Sequence, residues 1–415
     1  MTVIVGGLAM TPLLRKLLGL NWPLILTMYG LLVFGVFTIE SAARHLPQGG
    51  AWYADKQRDW IVIGSVAYFA AALIDYKWIK WMALPLYGGS LALCAALFGK
   101  DRSEVHQVDS GILKFQPAPL ALMAGIILLA WLLQDLPRLG KRIPKIGWLL
   151  EEPIVKVGLI GVLTGVPFLL VVGMGDMGSA LVWIPFAAIC LLVSGVPFRY
   201  LSCMAFLAAA ILPIAYFVVL PAVSDTGTQR IQLFLDISQG KPVDISGEAW
   251  AAHNIAVAIG KSGWAGTGWN ASATEGSLHD KKFVPWKTAH NDFVFPVIAE
   301  EQGFRGSLLL LTAYALLLVL CLFIGAYARD PMGRIIVGGV VAVFFAHIFE
   351  GIGMCIQLMP ITGIPLPLVS YSGTFAVICM TLLGLVQSVW IHRDVDRLRA
   401  EEEEAAAALK TISTR

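Results

Sequence analysis

The sequence predicts an all-α integral membrane protein of about ten transmembrane helices with one long extracytoplasmic loop. Three observations carry this expectation. Hydrophobic residues fill 57% of the 415 positions and charged ones only 14%, where soluble domains carry about a quarter charged residues. Apolar runs of about 20 residues, the length a helix needs to cross the hydrocarbon core, recur along the chain. One polar stretch, from about Ser224 to Asp292, is too long for a simple connection and reads as a functional loop. The formal net charge of +2, with no basic run, gives no sign of nucleic-acid binding.

Taken in order, the helical windows are 21–42, 60–76, 78–98, 117–136, 156–174, 177–197, 200–222, 306–327, 334–358 and 370–391. The first is followed by further spans, so it is not a cleavable signal. Cys94, Cys190, Cys203, Cys321, Cys355 and Cys379 lie inside or at the edges of apolar runs without metal spacing, and read as small buried hydrophobes. Orientation follows from the short loops. A cytoplasmic N-terminus puts Lys77, Lys80, Arg138, Lys141, Arg142, Lys145, Arg199, Arg329 and Arg334 on the inner side, together with Arg393, Arg397 and Arg399. The other side keeps Arg44, Lys56, Arg58, Lys100, Arg102 and Lys114, so both termini are expected inside and the loop outside.

The expected organisation is one membrane domain over 1–392, its loop at about 224–292, and a cytoplasmic tail over 393–415 that is rich in helix formers. The loop holds Gly260, Gly263, Gly266 and Gly268 without the strand–turn–helix setting of a nucleotide cradle. Trp250, Trp264 and Trp269 in the same loop read as residues lying at the membrane surface.

Polar chemistry concentrates between Phe283 and Phe304, where His290, Asp292, Glu300 and Glu301 meet the start of an apolar run. Ionisable groups at a membrane edge cost free energy unless something pairs or uses them. Asp292 can cap the helix expected to begin at Phe293, or it can serve as a base. The segment Pro360–Pro367 holds three prolines and Gly363. Such broken backbone is tolerated at membrane depth only where protein or water satisfies it, which favours a cavity lining, with Ser370, Tyr371 and Ser372 at the same depth. His347 and Glu350 stand one helical turn apart inside an apolar run, either as a functional pair or satisfying each other.

Several of these stretches resemble the SEDS family (shape, elongation, division and sporulation), the RodA/FtsW-type polymerases of bacterial cell-wall glycan. The run HNDFVFPVIAEEQGF from His290 is similar to the family's H-T-D-F-I-F-A-x-x-x-E-E-x-G, and GMCIQLMPITGIPLPLVSYSGT from Gly353 to its G-M-x-x-G-L-L-P-V-T-G-I-P-L-P-F-I-S-Y-G-G-S. Gln229-Arg230-Ile231 with Phe234-Leu235-Asp236 resembles Q-R-I-x-x-F-L-D. Gly173–Ala180 keeps Asp176 and Gly178 of Q-P-D-L-G-T-A, and Trp250–Gly268 resembles the family's next motif with Asn254 where glutamine is usual.

The resemblance implies a peptidoglycan glycosyltransferase of the bacterial inner membrane that polymerises lipid II at the outer face, in an inverting reaction. It implies a class B penicillin-binding protein as partner. The short N-terminus and modest tail resemble the elongation (RodA) branch more than the division (FtsW) branch. Asp292 would be the catalytic base, and Arg230, His290, Asn254, Asp176 and Ser370 would contact substrate. Glu300 and Glu301 would support the site. No cofactor is called for; a divalent cation on these carboxylates is admitted by their chemistry and required by no spacing. A flippase of the lipid-linked precursor, or a non-catalytic scaffold, would suit the same polar bundle.

The resemblance also has departures. P-E-x-H-T-D becomes Pro285–Asp292 with two extra residues and no glutamate, and A-x-R-W-I gives way to Glu104–Val108, without its Trp. Q-P-S-E-x-x-K becomes Gln116–Leu122, losing both the acid and the base. If that acid and base form a compensating pair, losing both costs less than losing one.

Overall fold

The structure is a computed structural model and describes residues 4–5, 8–9, 16–97, 108–109, 114–142, 148, 152–214, 225–247 and 249–393. Residues 394–415 of the expected tail, and Glu104–Gln107 of the departing motif, lie outside the described residues. Helix occupies each of the ten predicted windows, in whole or in part: α1 Trp22–Ala42, α2 Gly50–Leu73, α3 Tyr76–Leu97, α4 Pro117–Arg142, α5 Pro153–Gly173, α6 Met177–Leu181 with α7 Trp183–Val193, α8 Phe198–Ile214, α11 Val294–Tyr327, α12 Pro331–Gly353 and α13 Gly373–His392. The long polar segment carries two more helices, α9 Asp225–Ser238 and α10 Trp250–Lys261. Strand among the described residues is confined to two two-residue hairpin pairs, Ile4–Val5 with Leu8–Ala9 and Val108–Asp109 with Lys114–Phe115.

Seven of the described helices, α1, α3, α4, α5, α11, α12 and α13, are long and apolar enough to cross a membrane. Their starts follow ordinary capping chemistry. Asn21 accepts from Leu24 N ahead of Pro23, and Asp330 accepts from Gly333 N ahead of Pro331, each proline sitting where its missing N–H costs nothing. Helix α12 is the most enclosed of the seven and packs on α4, α7, α11 and α13, while α13 lies along α2. Leu26, Val66 and Phe206 are exposed (68%, 69% and 79%), as side chains facing lipid rather than water should be.

Four sequence expectations are corrected. Helix α2 begins at Gly50, ten residues before its window, and its charged stretch Asp55–Asp59 is helical, with Lys56–Asp59 and Arg58–Asp55 pairs one turn apart. Helix α12 ends at Gly353 rather than 358, and turns over 354–359 lead into the Pro-rich segment. Cys203 is exposed on α8, unlike the other five cysteines. His347 and Glu350 do not satisfy each other: His347 Nδ1 bonds the Val343 carbonyl at 2.8 Å, and one Glu350 oxygen is buried without a partner.

The break in α11 decides how the loop sits. At Gly303 the backbone turns to φ 68°, ψ −162° and divides Val294–Gln302 from the membrane-crossing part. The glycine-rich stretch of the loop fills this break. Thr267 N and Gly268 N donate to the carbonyls of Glu300 and Glu301 (2.9 and 3.0 Å), while Phe304 N and Arg305 N donate to Gly263 O and Trp264 O (2.9 and 3.2 Å). Backbone groups released by the kink are thereby satisfied by the loop itself. Trp264 and Trp269 are exposed at 66% and 45%, whereas Trp250 is half-buried.

Candidate active site

A cavity of about 500 Å³ opens beside the loop, walled by the start of α4, the Gly175–Ser179 turn, α9, the Thr288–Asp292 turn, His347 of α12, Thr362–Pro365 and Phe375. It gathers four of the ionisable residues singled out in the sequence: Asp176, Arg230, Asp292 and His347, the first three on the loop side. Each of these three is delivered by a different local device. Asp176 caps α6, accepting from Ser179 N at 3.0 Å. Arg230 projects from α9 and donates to Thr362 O at 3.3 Å. Asp292 ends a turn in which its own N–H bonds Thr288 O at 3.0 Å.

Asp292 is not a helix cap. Helix α11 starts at Val294, its N-cap position is Phe293, and no side chain closes that end. The carboxyl instead faces Gly363, on the same turn whose Thr362 carbonyl holds Arg230. Gly363 has φ +76°, which glycine permits, and a Cβ built there would stand in contact with Asp292 Oδ2 at 3.5 Å. Burial raises the Asp292 pKa to about 7; the charge of Asp176 adds to this and Arg230 opposes it.

His347 lines the same cavity, and Asp176 lies within electrostatic reach of His347, Glu350 and Asp292. With Nδ1 committed to Val343 O, His347 keeps Nε2 as its acceptor. Gln116 and Pro119 also stand in the wall. Pro119 is the position at which the family motif carries its acid, and Leu122, the position of the motif's base, is buried in the core. The departure therefore replaces a charged pair by an apolar wall and an apolar core contact.

The other predicted residues do different work. His290 packs its ring between Tyr53 and Tyr371, with centroids 4.8 and 5.4 Å away, and its carbonyl accepts from Tyr371 N. Burial lowers its pKa to about 4, so it is neutral at physiological pH. Ser370 Oγ accepts from Leu366 N at 2.9 Å and closes the Pro-rich turn. Asn254 donates back to Trp250 O, one turn earlier on α10. None of these three lines the cavity: Ser370 and Asn254 bond their own helix or turn, and the His290 ring is packed between the two tyrosines with its Nδ1 buried and unpartnered.

Glu300 and Glu301 face the loop. Glu300 accepts from Leu278 N and His279 N, and Glu301 accepts from the Ser41 hydroxyl. Arg44 bonds Asn270 and Ser277 in the same region, so these side chains clamp the loop to the end of α1. Glu300 is held by two backbone donors and Glu301 by one hydroxyl, its Oε2 remaining buried without a partner. Among the described residues no group of three or more His, Cys, Asp or Glu is disposed to hold a metal ion.

The family model described as cell cycle protein (FtsW, RodA, SpoVE) matches residues 18–395. The chain belongs to this family. The FtsW/RodA/SpoVE assignment covers all the elements that wall the cavity. The peptidoglycan glycosyltransferase MrdB of Escherichia coli K12 is 29% identical over 374 residues, 89% of this chain and 93% of that one. The peptidoglycan glycosyltransferase RodA of Treponema pallidum is 24% identical over 442 residues, covering 91% and 98%. The fold matches a chain of a peptidoglycan synthase complex described as coordinating polymerization and crosslinking (TM-score 0.70, 24% identity, 90% of this chain and 98% of that one). It also matches the rod shape determining protein RodA of Thermus thermophilus (TM-score 0.61, 24% identity, covering 90% and 97%). With its apolar helices, the chain is a bacterial membrane protein.

Proposed function

We propose that this protein is a peptidoglycan glycosyltransferase that polymerises lipid II, with Asp292 as general base and Arg230 as the contact for the leaving diphosphate. The observation that carries the reading is the cavity that brings Asp292 and Arg230 to one turn, Thr362–Gly363, in a member of a family whose relatives are named for this activity. A sugar hydroxyl attacks the anomeric carbon, the bond from that carbon to the diphosphate oxygen breaks, and the hydroxyl proton passes to Asp292. The diphosphate leaves unprotonated, so one base suffices for single-displacement inversion. An acid with a pKa of about 7 is poised to take that proton near neutral pH. Arg230 is exposed and offers a planar guanidinium to the developing negative charge.

Purified protein supplied with labelled lipid II in detergent tests this reading against the flippase and the scaffold. Polymer in micelles requires an enzyme, whereas a flippase acts only across a sealed bilayer. Failure to form polymer with folded protein would remove the glycosyltransferase reading. The partner that crosslinks the strand is, on the same reading, a class B penicillin-binding protein. Arg230→Lys keeps the charge and loses the bidentate fork. It should raise the KM for lipid II and lower turnover by about tenfold, on the scale of one charge-assisted hydrogen bond. Unchanged kinetics would take Arg230 out of the site.

The positive-inside pattern supports an inner-membrane orientation with the loop outside. Ser246 is exposed in the loop, so a cysteine placed there should react with an impermeant maleimide added to intact cells freed of their outer envelope. Labelling only after lysis would reverse the topology.

A further inference from the structure

A second polar cavity, of about 540 Å³, lies at the opposite end of α12 from the active-site cavity. The starts of α3 and α12 and the end of α4 form it, with Lys77, Lys80, Arg138, Asp135 and Asp330 in its wall. We infer that this cavity binds the phosphate headgroup of an anionic phospholipid.

Its charges are arranged for an incoming anion. Of the two acids, Asp330 accepts from the Tyr76 hydroxyl and, as the cap of α12, from Gly333 N at 3.1 Å. Asp135 accepts from the Trp131 indole at 2.8 Å and pairs with Arg138 at 3.4 Å. The Lys80 ammonium lies 5.4 Å from the centre of the Trp81 ring, and among the described residues Lys80 is in no ion pair. Both carboxylates are engaged by donors in the wall, and the three cations there exceed the two acids by one. The Met332 N–H is held by Gln134 across the α4–α12 contact at 3.2 Å, so the wall is fixed before any ligand arrives.

The surroundings select a lipid over a free anion. Trp78, Trp81 and Met82, on the first turns of membrane-spanning α3, are exposed at 69%, 71% and 64% beside the lysines. Tryptophan and lysine together mark headgroup depth. Basic pockets between helices at that depth hold anionic headgroups, while the acyl chains run along the apolar face.

The test uses the full chain in detergent, titrated with fluorescent phosphatidylglycerol and with phosphatidylcholine of the same chains. Phosphatidylglycerol should bind at least about tenfold more tightly, the scale for a few basic groups near a lipid surface. The triple variant Lys77→Gln, Lys80→Gln, Arg138→Gln should lose that preference. Lys141→Gln with Arg142→Gln, on the same end of α4 but outside the cavity wall, should keep it. Lys80→Gln alone should weaken phosphatidylglycerol by about fivefold and serves in place of the triple variant if that one melts early. Excess orthophosphate should not displace the lipid. Equal binding of the two lipids, equal loss in both multiple variants, an unchanged Lys80→Gln protein, or displacement by orthophosphate would each overturn the assignment.

Discussion

Asp292→Asn will lower polymerisation by about 10²–10⁴-fold, the usual loss for a general base, without lowering the melting temperature. The amide keeps the size of the carboxyl and cannot accept the proton. A capping role predicts the reverse, because Asn caps as well as Asp, while Ala costs about 1 kcal/mol. Helix α11 begins beyond Asp292 and Phe293 occupies its cap, so Asp292→Ala should be as inactive as the Asn variant and just as stable. The reaction needs the ionised base. Turnover per bound lipid II should therefore rise with pH through about 7 and level off above it. Asp176 helps to hold that pKa up. Asp176→Asn, which still caps α6, should move the rise to lower pH.

The fold pays for this poise. Because the folded pKa lies above the ordinary value of 3.8, the protonated form stabilises the structure fully below 3.8, and that contribution is lost as pH rises to about 7. A fully active Asn variant, or a profile flat between pH about 6 and about 8, would end the assignment of Asp292 as base.

How much of this was legible depends on what each residue answers to. The apolar windows were legible because crossing hydrocarbon imposes a length and a composition. The start of α2 was not, because Ala51–Asp59 forms helix outside that constraint and reads as a polar loop. The Pro360–Pro367 segment was legible as irregular backbone needing a polar lining, and the cavity lies along it. What polarity could not tell was where a side chain points. Ser370 and Asn254 satisfy local backbone partners four residues away. His290 sits two residues from Asp292 and is packed between tyrosines instead. Gln116 and Pro119 were noticed only as the remains of a motif, and the structure places both in the cavity wall.

Gly303→Ala should be among the most destructive single methyls at the described residues. Residue 303 sits at φ 68°, ψ −162°, a region that essentially only glycine occupies and that costs other residues about 1–3 kcal/mol. A Cβ there would also stand 2.4 Å from Gly266 N and 2.6 Å from Trp264 O. Both are backbone atoms of the loop strand that pairs with the break, so no rotamer change relieves the overlap. Adding the clash to the strain gives a loss of about 3 kcal/mol or more, read as a large fall in melting temperature or as failure to purify as a single species. Gly260 provides the control. It looks equivalent in the sequence, yet it lies inside α10 with open space around a built Cβ. Gly260→Ala should therefore be neutral or stabilise by up to about 1 kcal/mol, the helix-propensity gain. The contrast reports on the docking of the loop and not on glycine content. The Val294–Gln302 part of α11 joins the Asp292 turn to this break, so Gly303→Ala should lose polymerisation together with stability. A Gly303→Ala protein that melts like the wild type would mean that the glycine-rich strand does not hold the break in α11.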